Sequence, residues 1–276
     1  MDMLANYHTH TYRCGHAYGE DEDYVLSAIK AGYQILGFSD HVMIPDIQQE
    51  DYRIRGDYRM LPDYLLSIRN LRDIYHNQIE IHIGMEAEYS PDLEDYLCSL
   101  LDTKQVEYLV FGNHYRSYKN HHFEDYFGNV RDPKDIIDYV TLAEKALSTG
   151  LYSCFAHPDL FMSNYLSWDS ACEEAAHRIC KASLQYQVPL ELNQGGIRYA
   201  GLTRIGNELR YRYPYRRFWE IVAQYNNPVI IGVDAHHPND FHHQAQKVTI
   251  KMANNLKLNL IFTLNFSNRY SMHHNL

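Results

Sequence analysis

No apolar run in this sequence approaches the ~18 residues that a membrane-spanning helix needs, and Met1 to His10 lacks the apolar centre of a secretory leader. No stretch rich in Pro, Gly or Ser, no block of like charge and no low-complexity tract divides the 276 residues. One domain spanning 1–276 is therefore expected. Five cysteines, Cys14, Cys98, Cys154, Cys172 and Cys180, include no C-x-x-C pair. That spacing argues against a thiolate zinc site and against a disulfide framework. They read as small buried hydrophobes, with Cys14 placed beside a histidine cluster as a potential metal neighbour. A basic excess is missing too: the formal charge is −10, which disfavours general nucleic-acid binding. The expectation is a soluble, cytoplasmic protein with no membrane partner. Nothing here bears on its oligomeric state.

What the chain does have is 17 histidines, and their positions matter more than their number. His8 and His10 leave a strand-like run, Leu4 to Tyr7, two residues apart, so both imidazoles face one side. His16 follows shortly after. Further apolar runs end in the same way. Gln34 to Ser39 leads to Asp40-His41, and the alternating Ile79 to Met85 leads to Glu86 and Glu88. Glu107 to Gly112 ends on Asn113-His114, and Leu151 to Ala156 ends on His157-Pro158-Asp159. Val188 to Leu192 ends on Asn193, and Pro228 to Val233 ends on Asp234-Ala235-His236. Asp40, Asp159 and Glu88 could equally cap the helices that follow.

Helical patterns separate these runs. They lie at Glu20 to Gly32, Leu61 to Tyr75, Asp92 to Leu101, Asp132 to Ser148, Trp168 to Tyr186, Tyr215 to Tyr225 and Asn239 to Asn254. Val42 to Arg59 reads as a loop, and an apolar run at Leu258 to Leu264 closes the pattern. Seven strands that each lead into a helix predict a parallel α/β barrel. Barrel active sites collect at the C-terminal strand ends, where the candidate ligands fall. His121, His122, His242, His243, His273 and His274 lie elsewhere and read as solvated groups. The 25 tyrosines are expected on loops and barrel faces.

The ligand candidates are His8, His10, His16, His41, Glu86, His114, His157, Asp234 and His236. Imidazole with carboxylate suits Zn, Mn or Fe. Nine ligands exceed the needs of one ion, so two or three clustered ions sharing a carboxylate are expected. These motifs, in this order, resemble the polymerase-and-histidinol-phosphatase (PHP) family. Glu191-Leu192-Asn193-x-Gly195-Gly196-Ile197-Arg198 and Tyr213-Pro214 resemble its histidinol-phosphate phosphatase branch.

The resemblance implies a distorted (β/α)7 barrel with three metals. His8, His10, Glu86 and Asp234 would hold one. Glu86 would bridge to a second, held by His114 and His157. His16, His41 and His236 would hold the third. It further implies hydrolysis of a small phosphate monoester, L-histidinol phosphate above all, by a hydroxide bridging two of the ions. Arg198 is expected to clamp the phosphate, and Asp40 or Asp159 to protonate the leaving oxygen. One departure is visible, because Leu160 to Asn164, after His157-x-Asp159, contains no basic residue. Arg116, Lys119 or Arg204 would then supply a second phosphate contact, or the substrate would be another monoester. Two other readings stay open. The arginines and tyrosines between Arg198 and Arg217 would suit a 3′–5′ exonuclease-like phosphodiesterase, and the histidine cluster alone would suit a metal store.

Overall fold

The computed structural model describes residues 4–46 and 54–266. A short strand, β1 (Ala5–Asn6), leads past the first histidines into helix α1 (Asp21–Ala31). Glu20 and Asp23 exchange capping bonds at its start, and Gly32 closes it in the left-handed conformation, φ 87°. Strand β2 (Ile35–His41), helix α2 (Leu61–Tyr75) and strand β3 (Glu80–Ala87) follow. In α2 the buried Leu61, Leu65, Ile68 and Leu71 recur at helical spacing and turn one stripe inward. Helix α3 (Pro91–Asp102) and strand β4 (Tyr108–Phe111) lead to an antiparallel hairpin, β5 (Tyr115–Lys119) and β6 (His122–Tyr126).

Helix α4 (Pro133–Ser148) opens on an Asp132/Asp135 capping box with Pro133 in its first turn. Next come β7 (Cys154–Phe155), α5 (Ser170–Tyr186), β8 (Leu190–Asn193) and a single helical turn, α6 (Gly195–Arg198). A second hairpin, β9 (Thr203–Ile205) with β10 (Glu208–Arg210), precedes α7 (Arg216–Tyr225) and β11 (Pro228–Gly232). Helix α8 (Ala245–Leu256) and β12 (Asn259–Leu260) complete the order. No helix of the described residues is long and apolar enough to cross a membrane.

The strands β1-β2-β3-β4-β7-β8-β11-β12 form one sheet, parallel throughout, and helices connect them. The sheet curls until its two ends meet. Thr9, beyond β1, bridges to Ala235, beyond β11. There the His10 N–H donates to the Ala235 carbonyl at 2.9 Å, and the Ala235 N–H donates to the His8 carbonyl at 3.1 Å. This is the distorted (β/α)7 barrel, with β12 as a short extra strand on β11. Its interior is a small apolar cluster of Tyr7, Tyr108, Val110, Cys154, Ala156 and Ile230, closed by Leu264. The larger core lies between sheet and helices. All five cysteines are buried, and none forms a disulfide.

Several elements differ from the sequence reading. The strand expected over Leu151 to Ala156 shrinks to β7, and Arg198 lies on α6, a helical turn. The helix expected from Asn239 begins at Ala245, because His237 and Pro238 start a separate 3-10 turn, Pro238–His242. Part of the expected Val42–Arg59 loop, and His273 and His274, lie outside the described residues. The two hairpins were not foreseen. The β5–β6 turn uses Asn120 and His121 at φ 49° and 63°, the left-handed pair that a tight hairpin turn needs. Glycine would have announced it; Asn-His does not.

Candidate metal centre

The barrel strands carry the candidate ligands to one mouth. His8 and His10 project on the same side just past β1. His41 is the last residue of β2, and Glu86 lies near the end of β3. His114 follows β4, His157 follows β7, and Asp234 and His236 follow β11. His16 arrives on the loop after the 3-10 turn Tyr12–Cys14, where Gly15 turns at φ 82°. Eight of the nine line one cavity of about 370 Å³, namely His10, His16, His41, Glu86, His114, His157, Asp234 and His236. His8 lies against them, 1% exposed.

Three imidazole pairs face each other. The His8 and His10 Nε2 atoms are 3.1 Å apart, those of His114 and His157 3.3 Å, and those of His16 and His236 2.9 Å. The last pair is the most telling. His16 Nδ1 lies 3.1 Å from the Cys14 carbonyl, and His236 Nδ1 lies 3.1 Å from the Asp234 carbonyl. A carbonyl accepts only from N–H, so the His16 contact favours the proton on Nδ1 and leaves a lone pair on its Nε2, while His236 Nδ1 also lies 2.9 Å from the Tyr199 hydroxyl. Two ring nitrogens at that distance need either a proton or a metal cation between them.

Glu86 joins the groups. Its Oε2 is 3.4, 3.5 and 3.2 Å from His8 Nε2, His10 Nε2 and His41 Nδ1. Its Oε1 is 3.1 and 3.4 Å from His157 Nε2 and His114 Nε2. Three sets of donor atoms, each within 4.8 Å of one another, result: His8, His10, Glu86; Glu86, His114, His157; and His16, His41, His236. Two further sets join Cys14 to His10 and His236, and Glu88 to His41 and His114. Burial resists the Glu86 charge, but His114, His8 and His41 hold its carboxyl well below the usual range. Burial likewise opposes charge on His10, and Asp234, Asp40 and Glu86 override it, raising His10 to about 9. His41 and His236 are pushed down, first by burial and then by His10.

A further layer of carboxylates orients the rings. Glu191 accepts from His8 Nδ1 at 2.9 Å, from the His157 N–H at 3.3 Å and from the Asn193 amide at 2.7 Å. Any side chain at Gly232 would collide with it. Glu88 accepts from His114 Nδ1 at 3.0 Å, a support of the imidazole rather than a helix cap. Glu191 heads the Glu191–Arg198 motif of the sequence, a carboxylate in an otherwise apolar strand, but it was given no role there because it is not at the strand tip. Such partners fix the tautomer and raise the basicity of the ring. Glu191→Gln is expected to weaken metal binding roughly 10- to 100-fold, measured by competition with a chelator.

Other expected site residues are placed elsewhere. Arg198 does not reach into the cavity. Its guanidinium donates to the carbonyls of Val233 (2.6 Å) and Asp234 (2.5 Å) and pairs with Asp240 at 3.3 Å. It braces the segment that carries Asp234 and His236. Arg116 is paired with Asp135 and, at 3.1 Å, with Asp138, so helix α4 holds it away from the mouth. Lys119 and Arg204 are exposed on the hairpins and do not line the cavity. Asp40 is fully buried, accepting from the Thr11 hydroxyl and from the His41 N–H at 3.0 Å. Asp159, 1% exposed, accepts from the Tyr215 N–H at 2.6 Å and Trp219 Nε1 at 3.1 Å. Burial pushes its carboxyl up to about 6. Neither acid is among the residues that line the cavity.

Comparison with known proteins agrees with this architecture. Residues 6–195 match the family described as the PHP domain. A Deinococcus radiodurans protein named "Probable histidinol-phosphatase" is 26% identical over 244 residues, covering 87% of this chain and 89% of that protein. A Schizosaccharomyces pombe protein of the same name is 23% identical, covering 86% and 82%. The crystal structure of histidinol phosphate phosphatase from Lactococcus lactis subsp. lactis, complexed with zinc, L-histidinol and phosphate, has the same fold. It matches with a TM-score of 0.68 at 14% identity, over 95% of this chain and 99% of that one.

Proposed function

From the premise that the chain belongs to the PHP domain family, we propose that it is a metal-dependent phosphomonoesterase whose substrate is L-histidinol phosphate, hydrolysed to L-histidinol and phosphate. The observation that carries this reading is the convergence of three facing imidazole pairs at one barrel mouth, two of them on the shared Glu86 carboxylate and the third with His16 and His236 Nε2 only 2.9 Å apart. Among the described residues, that donor set fits three ions. His8, His10, Glu86 and Asp234 would hold the first, Glu86, His114 and His157 the second, and His16, His41 and His236 the third. Imidazole with carboxylate selects zinc, manganese or iron over magnesium or calcium.

Bound divalent ions supply an acidified water for in-line attack on phosphorus and offset the charge of a phosphate dianion. The chain's own part is to hold them. Glu191 and Glu88 fix the rings of His8 and His114, and Arg198 fixes the backbone of Asp234. The buried Glu86 keeps both of its oxygens turned to imidazoles. The names of the relatives from Deinococcus and Schizosaccharomyces, and the histidinol and phosphate in the Lactococcus structure, support the choice of substrate. The proposal places the entire site in one domain spanning 1–276. Five cysteines outside any disulfide suit a reducing compartment such as the cytoplasm.

The test is direct. The protein stripped by a chelator, then reloaded separately with zinc, manganese or iron, is assayed for phosphate released from L-histidinol phosphate. An oligonucleotide is assayed alongside for shortening. Stripping is expected to lower phosphate release at least ~100-fold and one of the metals to restore it. Equal rates with and without metal, or cleavage of the oligonucleotide alone, would sink the proposal.

A further inference from the structure

We propose that Tyr115, Tyr126, Tyr199 and Tyr213 form a leaving-group pocket that selects a flat alcohol bearing an ammonium and rejects one bearing a second anion. This rests on the phosphomonoesterase reading above and adds to it the residues that choose the ester.

The cavity has two faces. One is the imidazole and carboxylate cluster. The other consists of those four tyrosines with Ile54 and Leu160. Among the described residues, that second face holds no lysine, arginine or carboxylate. An ester whose phosphate lies on the first face must lay its alcohol against the second.

The aromatic face comes from both hairpin regions. Tyr115 and Tyr126 pair across β5 and β6, with ring centroids 5.6 Å apart. Tyr213 lies against His157 at 5.7 Å between centroids, and the Tyr199 hydroxyl is 2.9 Å from His236 Nδ1. The tyrosines thus begin where the ligand cluster ends. Tyr213 stands in the Tyr213-Pro214 motif and Tyr199 in the Arg198–Arg217 stretch, whereas no motif marked Tyr115 or Tyr126 among the 25 tyrosines.

The chemistry follows from charge. Aromatic faces present negative potential, which attracts an ammonium and stacks a flat ring. A carboxylate or second phosphate on the alcohol would lose its water here without gaining a counter-charge. Arg212 acts on the Tyr126 phenol electrostatically, but it is exposed and outside the cavity lining. At about 370 Å³ the space is at the small end of ligand pockets, ~300–1,000 Å³. That suits an amino alcohol with one ring better than a nucleic-acid strand.

The experiment compares kcat/KM of the metal-loaded full chain for L-histidinol phosphate and for 3-phosphoglycerate. The wild type is expected to favour the first by at least ~100-fold. Tyr126→Leu is expected to reduce that ratio roughly tenfold, chiefly through KM, as is Tyr115→Leu. Tyr126 is 42% exposed, so its replacement spares the core; circular dichroism and metal content verify this. Calorimetric titration with L-histidinol gives a reading independent of turnover, with binding expected to weaken by a similar factor. An unchanged ratio together with unchanged histidinol binding in both variants would overturn the pocket, as would a wild-type preference for 3-phosphoglycerate. Failure to hydrolyse any monoester would instead strike the phosphatase reading, and the histidinol titration would still decide the pocket.

Discussion

If three ions are bound as proposed, Glu86→Gln is expected to leave the barrel folded, to reduce the metal content to about one ion, and to lower phosphate release by ~10³-fold or more. That rate loss corresponds to about 4 kcal/mol of transition-state stabilisation. The size follows from the geometry of one carboxylate. Oε2 turns to His8, His10 and His41, while Oε1 turns to His114 and His157. A carboxamide has one neutral oxygen and an N–H₂ group that repels cations, so it cannot serve both sides. The group of His16, His41 and His236 contains no Glu86 oxygen, which is why one ion should remain. Elemental analysis of the purified variant, beside its rate, checks the claim. Full metal content with full activity would rule out a shared carboxylate.

Arg55→Leu is expected to destabilise the metal-free protein by roughly 3–5 kcal/mol. Melting should fall by about 10 °C. Arg55 is fully buried, donates to both oxygens of Glu88 at 3.0 and 3.1 Å, and packs over the Phe123 ring at 4.2 Å. Burial resists the Glu88 charge, yet Arg55 and His114 hold its carboxyl down at about 2, against an ordinary value of 4.5. Its folded value is depressed, so this stabilisation is complete above about pH 4.5 and disappears as pH falls toward 2. Without Arg55, burial dominates and the carboxyl rises. The variant should then regain part of its lost stability on mild acidification, where the wild type regains none. Thermal melts monitored by circular dichroism between pH 7 and pH 4.5 separate the two behaviours.

The barrel was legible in the sequence because each strand is a short apolar run with a chemical residue at its tip. Helix α2 was read with the bounds it has, since Leu61, Leu65, Ile68 and Leu71 repeat at helical spacing between clear breaks. The convergence of the nine ligand candidates followed from the rule that parallel barrels gather their strand ends. What stayed hidden depends on tertiary reach. Arg198 has a long side chain on a turn beside the mouth, and only the folded chain shows that nearby carbonyls capture it. Asp40 and Asp159 were read as acids facing substrate, whereas both are enclosed by donors from Thr11, Tyr215 and Trp219. Hairpin β5–β6 escaped because its strands mix Tyr, Arg, Ser, Glu and Asp, and solvent-facing ribbons need no apolar alternation.

The seam between Thr9 and Ala235 also governs when the centre can come into being. His16 and His236 meet across 220 positions of chain, and His8 and His10 need Asp234 from the same late segment. A ribosome must therefore have released the chain past His236 before these groups can close on a cation. Until then the set of His16 and His41 and the set of His8 and His10 each lack their last members, while Glu86, His114 and His157 are already on the chain.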